Sequence, residues 1–302
     1  MTARLVLGPA LFNWEPEVLR DFYFRIADEA PIDAVCLGEV VCSKRQPFFL
    51  PYLGAVAERL EAAGKQVIHS TLALIMNERE LAQVRETAGL AEAGESLIEA
   101  NDMSCVSFLT GRRHAIGPFV NVYNEGALDF HVRRGAVRVS LPGELPRRSI
   151  AAIAAAAGGQ VELEVQVFGR LPLAISARCY HARAHGLQKD GCQYVCGEDP
   201  DGLVVETLDD EPFLVINGTQ TLSYTYVNLI GEMDELRAMG VGAFRLSPHD
   251  ADMVAIAREF RDVADGRREA AAARERLSQL TGDVSFSNGF YHGTRGRVLS
   301  AA

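Results

Sequence analysis

Six cysteines stand in this 302-residue chain, at Cys36, Cys42, Cys105, Cys179, Cys192 and Cys196. Three of them share one polar, turn-rich stretch with the spacing Cys-x12-Cys-x3-Cys. Converging thiolates can hold a zinc ion or an iron–sulfur cluster, and either needs about four of them. An irregular loop can wrap a metal without distorting a helix or strand, and Asp190-Gly191 and Gly197 supply turns around the last pair. Cys42 is the best fourth ligand. It follows an apolar strand-like run through Gly38-Glu39-Val40-Val41. Cys36, inside Ala-Val-Cys-Leu, and Cys105, in a helix that Asp102 can cap, read as small buried hydrophobes. No Cys-x2-Cys pair is present, so spacing alone leaves cluster and zinc both open.

Other constellations are weaker. His181 and His185 lie four apart, which puts them on one face of a helix. A zinc protease also needs a glutamate after the first histidine, and that position is Ala182. Surface histidines are the better account. There is no Gly-x-Ser-x-Gly elbow and no Gly-x4-Gly-Lys-Ser/Thr phosphate loop. Serine hydrolase and nucleotide triphosphatase readings therefore drop out.

The elements that must position these cysteines alternate. Strand-like runs fall at 5–7, 34–37, 67–71, 97–99, 116–120, 137–141, 161–168 and 243–246. Helical patterns fall between them at 16–29, 50–63, 78–93, 125–134, 147–157 and 233–239. Gly64, Gly94, Gly135, Gly158 and Gly240 each follow a helix, where glycine ends one readily. This rhythm implies a parallel sheet, and eight strands favour a closed TIM-like (β/α) barrel over an open doubly wound sheet. Residues 1–265 form the expected α/β barrel domain, with an inserted cysteine-rich loop at about 177–212. Residues 213–217 resume a strand, in a hairpin or in the barrel. Residues 266–302 read as a helical then irregular tail, with the last twenty or so loosely ordered. Barrel active sites sit at the C-terminal strand ends. There the sequence places Glu39, Ser70, Thr71, Glu99, Asp102, Asn121, Tyr123 and Asn124. Asp102 and Asn124 fit helix caps. Glu39, Thr71, Asn121 and Tyr123 are the candidate substrate pocket.

The chain is 48% hydrophobic and 23% charged, an ordinary globular profile whose core needs no covalent staples. A formal net charge of -10 argues against nucleic acid as a partner. No apolar run approaches the roughly 20 residues of a transmembrane helix. The apolar patch near Met1 is too short for a signal peptide. A cytoplasmic location is expected, and clustered cysteines there suggest a metal or redox role rather than disulfides.

Longer stretches carry a resemblance. They include Leu37-Gly38-Glu39-Val40-Val41-Cys42-Ser43-Lys44-Arg45, Ser70-Thr71-Leu72-Ala73-Leu74, Ser96-Leu97-Ile98-Glu99-Ala100 and Asn121-Val122-Tyr123-Asn124. They continue through Gly169-Arg170-Leu171-Pro172-Leu173-Ala174, Ser176-Ala177-Arg178-Cys179, Lys189-Asp190-Gly191-Cys192 and Cys196. Asn217-Gly218-Thr219-Gln220-Thr221 and Arg245-Leu246-Ser247-Pro248 complete them. From about Leu7 to Phe260 the chain resembles the collagenase-like peptidase family, in its branch serving oxygen-independent ubiquinone biosynthesis. The resemblance implies a [4Fe–4S] cluster on Cys42, Cys179, Cys192 and Cys196. It implies a heterodimer with a UbiU-like partner, a lipid-carrier protein, and a small aromatic or quinone-precursor substrate hydroxylated without dioxygen. Related members hydroxylate nucleobases in RNA, with prephenate as the proposed oxygen source. The family's peptidase name supplies no protease residue that can be placed in this chain.

The leading expectation is an iron–sulfur subunit of an anaerobic ring hydroxylase, an enzyme in company with its partner. A structural metal-binding subunit with the chemistry elsewhere is the rival. A true peptidase comes last, for want of a recognisable nucleophile or activated water.

Overall fold

The computed structural model describes residues 3–93, 96–282 and 284–300. Gly94 lies outside the described residues. The chain opens as strand–helix repeats: β1 (Arg4–Leu7), α1 (Pro16–Glu29), β2 (Ala34–Leu37), α2 (Gln46–Ala62), β3 (Gln66–Ser70), α3 (Glu78–Gly89), β4 (Leu97–Ala100), α4 (Met103–Phe108), β5 (His114–Ile116), α5 (Glu125–Val132), β6 (Ala136–Ser140), α6 (Arg147–Ala157) and β7 (Glu162–Ile175). An excursion follows: α7 (Tyr180–Ala184), β8 (Leu203–Glu206), β9 (Pro212–Asn217) and β10 (Gln220–Asn228). The chain then returns through α8 (Met233–Met239), β11 (Val241–Leu246) and α9 (Met253–Ala264), and ends in α10 (Ala270–Leu280) and β12 (Phe286–Ser287).

Seven parallel strands run β1 to β7 in sequence order, and β11 pairs parallel with both β1 and β7. The sheet is therefore a closed eight-stranded parallel barrel with helices outside it, a TIM-like α/β fold, as expected. Side chains obey the two-residue strand period. Leu5, Leu7, Val35, Leu37, Phe244 and Leu246 join the main core, which packs barrel against helices. Their neighbours Val6, Ala34, Cys36 and Ala243 form a separate small cluster with Ile68. The same interleaved positions also carry charge. Arg245 is 4% exposed and bridges Glu99 and Glu164, which are 2% and 0% exposed. Ser70 donates to the other Glu99 oxygen at 2.9 Å. Buried ions persist when paired and hydrogen-bonded in this way.

Several expected boundaries move. Residues 118–120 form a 3-10 turn, not the end of a strand. Pro118 lacks the N–H that a sheet ladder needs there. The helix expected from residue 50 begins at Gln46, with Pro47 in its first turn, where no intrahelical partner is lost. The helix expected to reach residue 93 becomes a 3-10 turn after Gly89. The seventh strand runs on to Ile175, because its outer half pairs antiparallel with β10. Residues 213–217 resolve as β9 of an antiparallel hairpin, not a barrel strand. Its partner β10 and the helix α9 were not read from the sequence.

The tail is a correction too. Ala273 and Leu277 of α10 are buried, and β12 pairs with β10. Tyr291 is 3% exposed and its hydroxyl donates to Glu235 at 2.6 Å. The segment expected to be loose is docked by apolar burial and hydrogen bonds.

Candidate functional site

Cys42, Cys179, Cys192 and Cys196 line one small cavity, together with Lys44, Arg45, Ala182, Lys189, Tyr194, Val195 and Gly218. The four come from two places, the β2–α2 turn and the excursion after β7. All six cysteines are free thiols. Cys36 and Cys105, read as packing, are fully buried elsewhere, and Asp102 caps the Cys105 helix by accepting from the Ser104 N–H.

Cys42 is held by its turn. Gly38 leaves β2 at φ 133°, and a Cβ there would stand 2.3 Å from the Ser70 carbonyl oxygen, so only glycine fits. Glu39 Oε1 then accepts from the N–H groups of Val41 at 2.8 Å and Cys42 at 2.9 Å. Cys179 N-caps α7, and its Sγ accepts from the Ala182 N–H at 3.4 Å. Between Cys192 and Cys196 the chain reverses through Gln193 at φ 50° and Tyr194 at φ 57°. Left-handed backbone costs a side-chain-bearing residue on the order of 1–2 kcal/mol. Here it keeps both flanking cysteines on one cavity. The Phe48 ring meets Tyr194 edge-on, with centroids 4.8 Å apart.

Positive charge surrounds the sulfurs. Arg45 is 4% exposed; its Nη2 donates to Asn217 Oδ1 at 2.7 Å and its Nη1 to the Leu11 carbonyl at 3.2 Å. Its Nε has no partner among the described residues. Lys44 Nζ donates to the Lys189 carbonyl at 2.6 Å and to Asp190 at 3.0 Å. Burial pushes the Cys42 thiol up, helped by the Glu39 carboxylate and opposed by Arg45. Burial pushes Cys196 up as well, again against Arg45. A metal must displace these protons, and the neighbouring cations favour the thiolates that result.

The excursion is fastened by the protein itself. Asn217 Nδ2 donates to the carbonyls of Cys196 and Asp199, each at 2.9 Å. Trp14 Nε1 donates to the Pro200 carbonyl at 2.7 Å. Asp201 takes hydrogen bonds from Arg170 at 2.7 Å, the Tyr226 hydroxyl at 2.9 Å and His249 Nδ1 at 2.5 Å. His249 Nε2 accepts from the Arg170 N–H at 2.9 Å, so its proton belongs on Nδ1. Burial would raise the Asp201 carboxyl, but the hydrogen bond and charge of His249, then Arg170, hold it below the ordinary range.

The four expected pocket residues do not share a pocket. Glu39 and Thr71 border an apolar cavity between the ends of β2 and β3 and helices α1, α2 and α3, walled by Phe12, Leu19, Tyr23, Phe49 and Leu53. Arg45 borders both this cavity and the cysteine cavity. Glu39 spends an oxygen on the Cys42 turn, and Thr71 donates to the Glu99 carbonyl at 3.2 Å. Asn121 and Tyr123 border a different, more polar cavity with Glu144 and Gln166. Tyr123 is exposed and bonds Glu144.

Arg45, Asn217 and Gly218 were not singled out for a role. Arg45 directly follows Cys42-Ser43-Lys44, but nothing in a sequence says that an arginine will be buried.

The model of Peptidase family U32 matches residues 23–299, and the chain belongs to that family. Among solved structures, the U32 peptidase Mk0906 is 13% identical, with a TM-score of 0.47, over 82% of this chain and 94% of that one. A truncated 3-deoxy-D-arabino-heptulosonate 7-phosphate synthase from Thermotoga maritima is 11% identical, with a TM-score of 0.44, over 94% of this chain and 89% of that one.

Proposed function

We propose, from its place in the U32 family, that this chain is a UbiV-like iron–sulfur subunit of an oxygen-independent ring hydroxylase in ubiquinone biosynthesis. The observation that carries the reading is the convergence of Cys42, Cys179, Cys192 and Cys196 on one cation-ringed cavity. Four thiolates can hold either a zinc ion or a cluster, and the family resemblance is what points to the cluster.

When bound, such a cluster supplies one-electron transfer at a potential set by charge and hydrogen bonds to its sulfurs. The chain's own residues set those terms. The Ala182 N–H points to Cys179 Sγ, and Arg45 opposes the burial that would neutralise Cys42 and Cys196. Arg45 also borders the apolar cavity, where aromatic and aliphatic walls would exclude water around a small aromatic ring. No helix among the described residues is long and apolar enough to cross a membrane. A greasy precursor therefore needs a lipid carrier, and we place a UbiU-like chain as the partner, in the cytoplasm.

The purely structural rival has one point against it: Asp201, Asn217 and Trp14 fasten the loop through hydrogen bonds that use no cysteine. Cysteine variants should therefore fold. The test is iron and acid-labile sulfide on protein purified without oxygen. We expect about four of each per chain, with visible absorption that bleaches on reduction. Each single Cys→Ala variant should lose iron while keeping its far-ultraviolet dichroism. Full iron in all four variants, or one zinc and no colour in the parent, would sink the proposal. Unfolding of all four would instead favour the structural role.

A further inference from the structure

We infer that His181, His185 and Asp199 form a second metal site, built for a divalent transition ion such as zinc and separate from the cysteine cavity. Their ligand atoms lie within 4.8 Å of one another. His181 and His185 stand one turn apart across α7, with rings stacked 5.3 Å between centroids. Asp199 comes from the far side of the loop, three residues beyond Cys196.

His181 makes this more than a chance cluster. It is fully buried, with Nδ1 3.3 Å from the Ile216 carbonyl oxygen. A carbonyl only accepts, so Ile216 leaves Nδ1 facing the protein and Nε2 facing the cluster. Nε2 lies 3.0 Å from Asp199 Oδ2, yet it has no hydrogen-bond partner among the described residues. A divalent ion beside the two would satisfy both atoms. An imidazole whose other nitrogen donates to a backbone carbonyl is also how metal-bound histidines are oriented.

Two neutral imidazoles and one carboxylate suit zinc and its neighbours, with water completing the shell. His185 is exposed and Asp199 partly so, which leaves the ion an entry path. The ion would tie α7, which starts beside Cys179, to the segment after Cys196. It would thus brace the two halves of the cysteine loop. The missing glutamate at Ala182 still argues against protease chemistry there, so the role is bracing.

The experiment uses full-length protein purified without oxygen, equilibrated with zinc, then desalted. Zinc and iron are counted by mass spectrometry, and zinc K-edge absorption reports the ligands. We expect about one zinc per chain with nitrogen and oxygen neighbours, imidazole scattering and no sulfur. His185→Ala and Asp199→Ala, both at partly exposed positions, should weaken zinc binding at least tenfold and leave iron unchanged. Sulfur neighbours would place the ion on the cysteines and overturn the inference. So would unchanged zinc binding in both variants, or no retained zinc in a parent with intact dichroism. Because iron and zinc are read separately, failure here is distinguishable from failure of the cluster assignment.

Discussion

Arg45 joins the cysteine cavity to two distant parts of the chain through few atoms. Its guanidinium serves Leu11 of the first loop and Asn217 of the hairpin, beside Cys196. Arg45→Met would remove both bonds and strip the buried Asn217 Oδ1 of its donor, while the Leu11 carbonyl keeps the Gln220 amide at 2.6 Å. Hydrogen bonds to a charged group contribute roughly 1.5–3 kcal/mol each, so a loss of about 3 kcal/mol is expected. A lower urea midpoint at unchanged slope would show it. Arg45→Lys should recover only part, because an ammonium lacks the planar fork. A second residue-scale effect lies away from the site. His131 is 4% exposed, its Nδ1 has no partner among the described residues, and burial pushes it down to about 4, with His114 and Arg134 adding to the push. An unfolded histidine titrates near 6.5, so the folded state favours the neutral ring. Its contribution is complete above about pH 6.5 and is lost as pH falls toward 4, on the order of 2–3 kcal/mol. Melting temperatures between pH 7.5 and 4.5 should fall accordingly, and His131→Leu should flatten that slope. An equal slope in both proteins would assign the effect elsewhere.

At the scale of elements, the excursion after β7 reads as a polar loop but behaves as a clamped lid on one rim of the barrel. Asp201 is its main rivet, meeting Arg170 of β7, Tyr226 of β10 and His249 after β11. Asp201→Ala leaves the Arg170 cation, 4% exposed, without its carboxylate. Breaking a fully buried pair on one side costs about 3–5 kcal/mol, and with Asp201 25% exposed the cost here falls below that. The loss should fall first on the loop. Limited proteolysis within 198–212 should accelerate while the dichroism of the barrel holds. Unaltered resistance would mean that Asn217 and Trp14 suffice. The hairpin has a similar precision: Gly218, at φ 67°, lets Arg45 Nη2 come within 2.2 Å of where a Cβ would stand. A motif of residues 217–221 carries that requirement in the sequence, but its reason lies in an arginine far away along the chain.

For the whole molecule, closure is the governing fact. A barrel has no exposed edge between β1 and β11, whereas β10 lies outside it and must be covered. The tail does this through β12, and Phe286 and Tyr291 are 9% and 3% exposed. Asn288 Nδ2 also donates to the buried Glu232 at 2.9 Å. Truncation after Gly282 should therefore destabilise the barrel. Two buried aromatics contribute about 1.5–3 kcal/mol each, so a loss of about 3–6 kcal/mol is expected, read as a lower melting temperature. An unchanged melting temperature would return the tail to an accessory role.

Periodicity and punctuation are local, and they were legible. Runs such as 34–37 and 243–246, separated by glycine-ended helices, dictate strand, helix and parallel closure, because side-chain period follows backbone geometry. That four of the cysteines would share one cavity was legible for a different reason: three thiols in one polar loop are hard to use as packing, and Cys42 follows a strand at its C-terminal end. What only the tertiary structure decided are meetings between distant segments. Pro118 ended a run that looked like strand, and β10 drew the seventh strand outward. Glu39 and Thr71 parted from Asn121 and Tyr123 because each barrel strand end faces its own neighbours. Asp199 came to His181, and Asp201 to His249, only through the fold. A buried charge or an unpartnered imidazole nitrogen is defined by what surrounds it, and those surroundings come from across the chain.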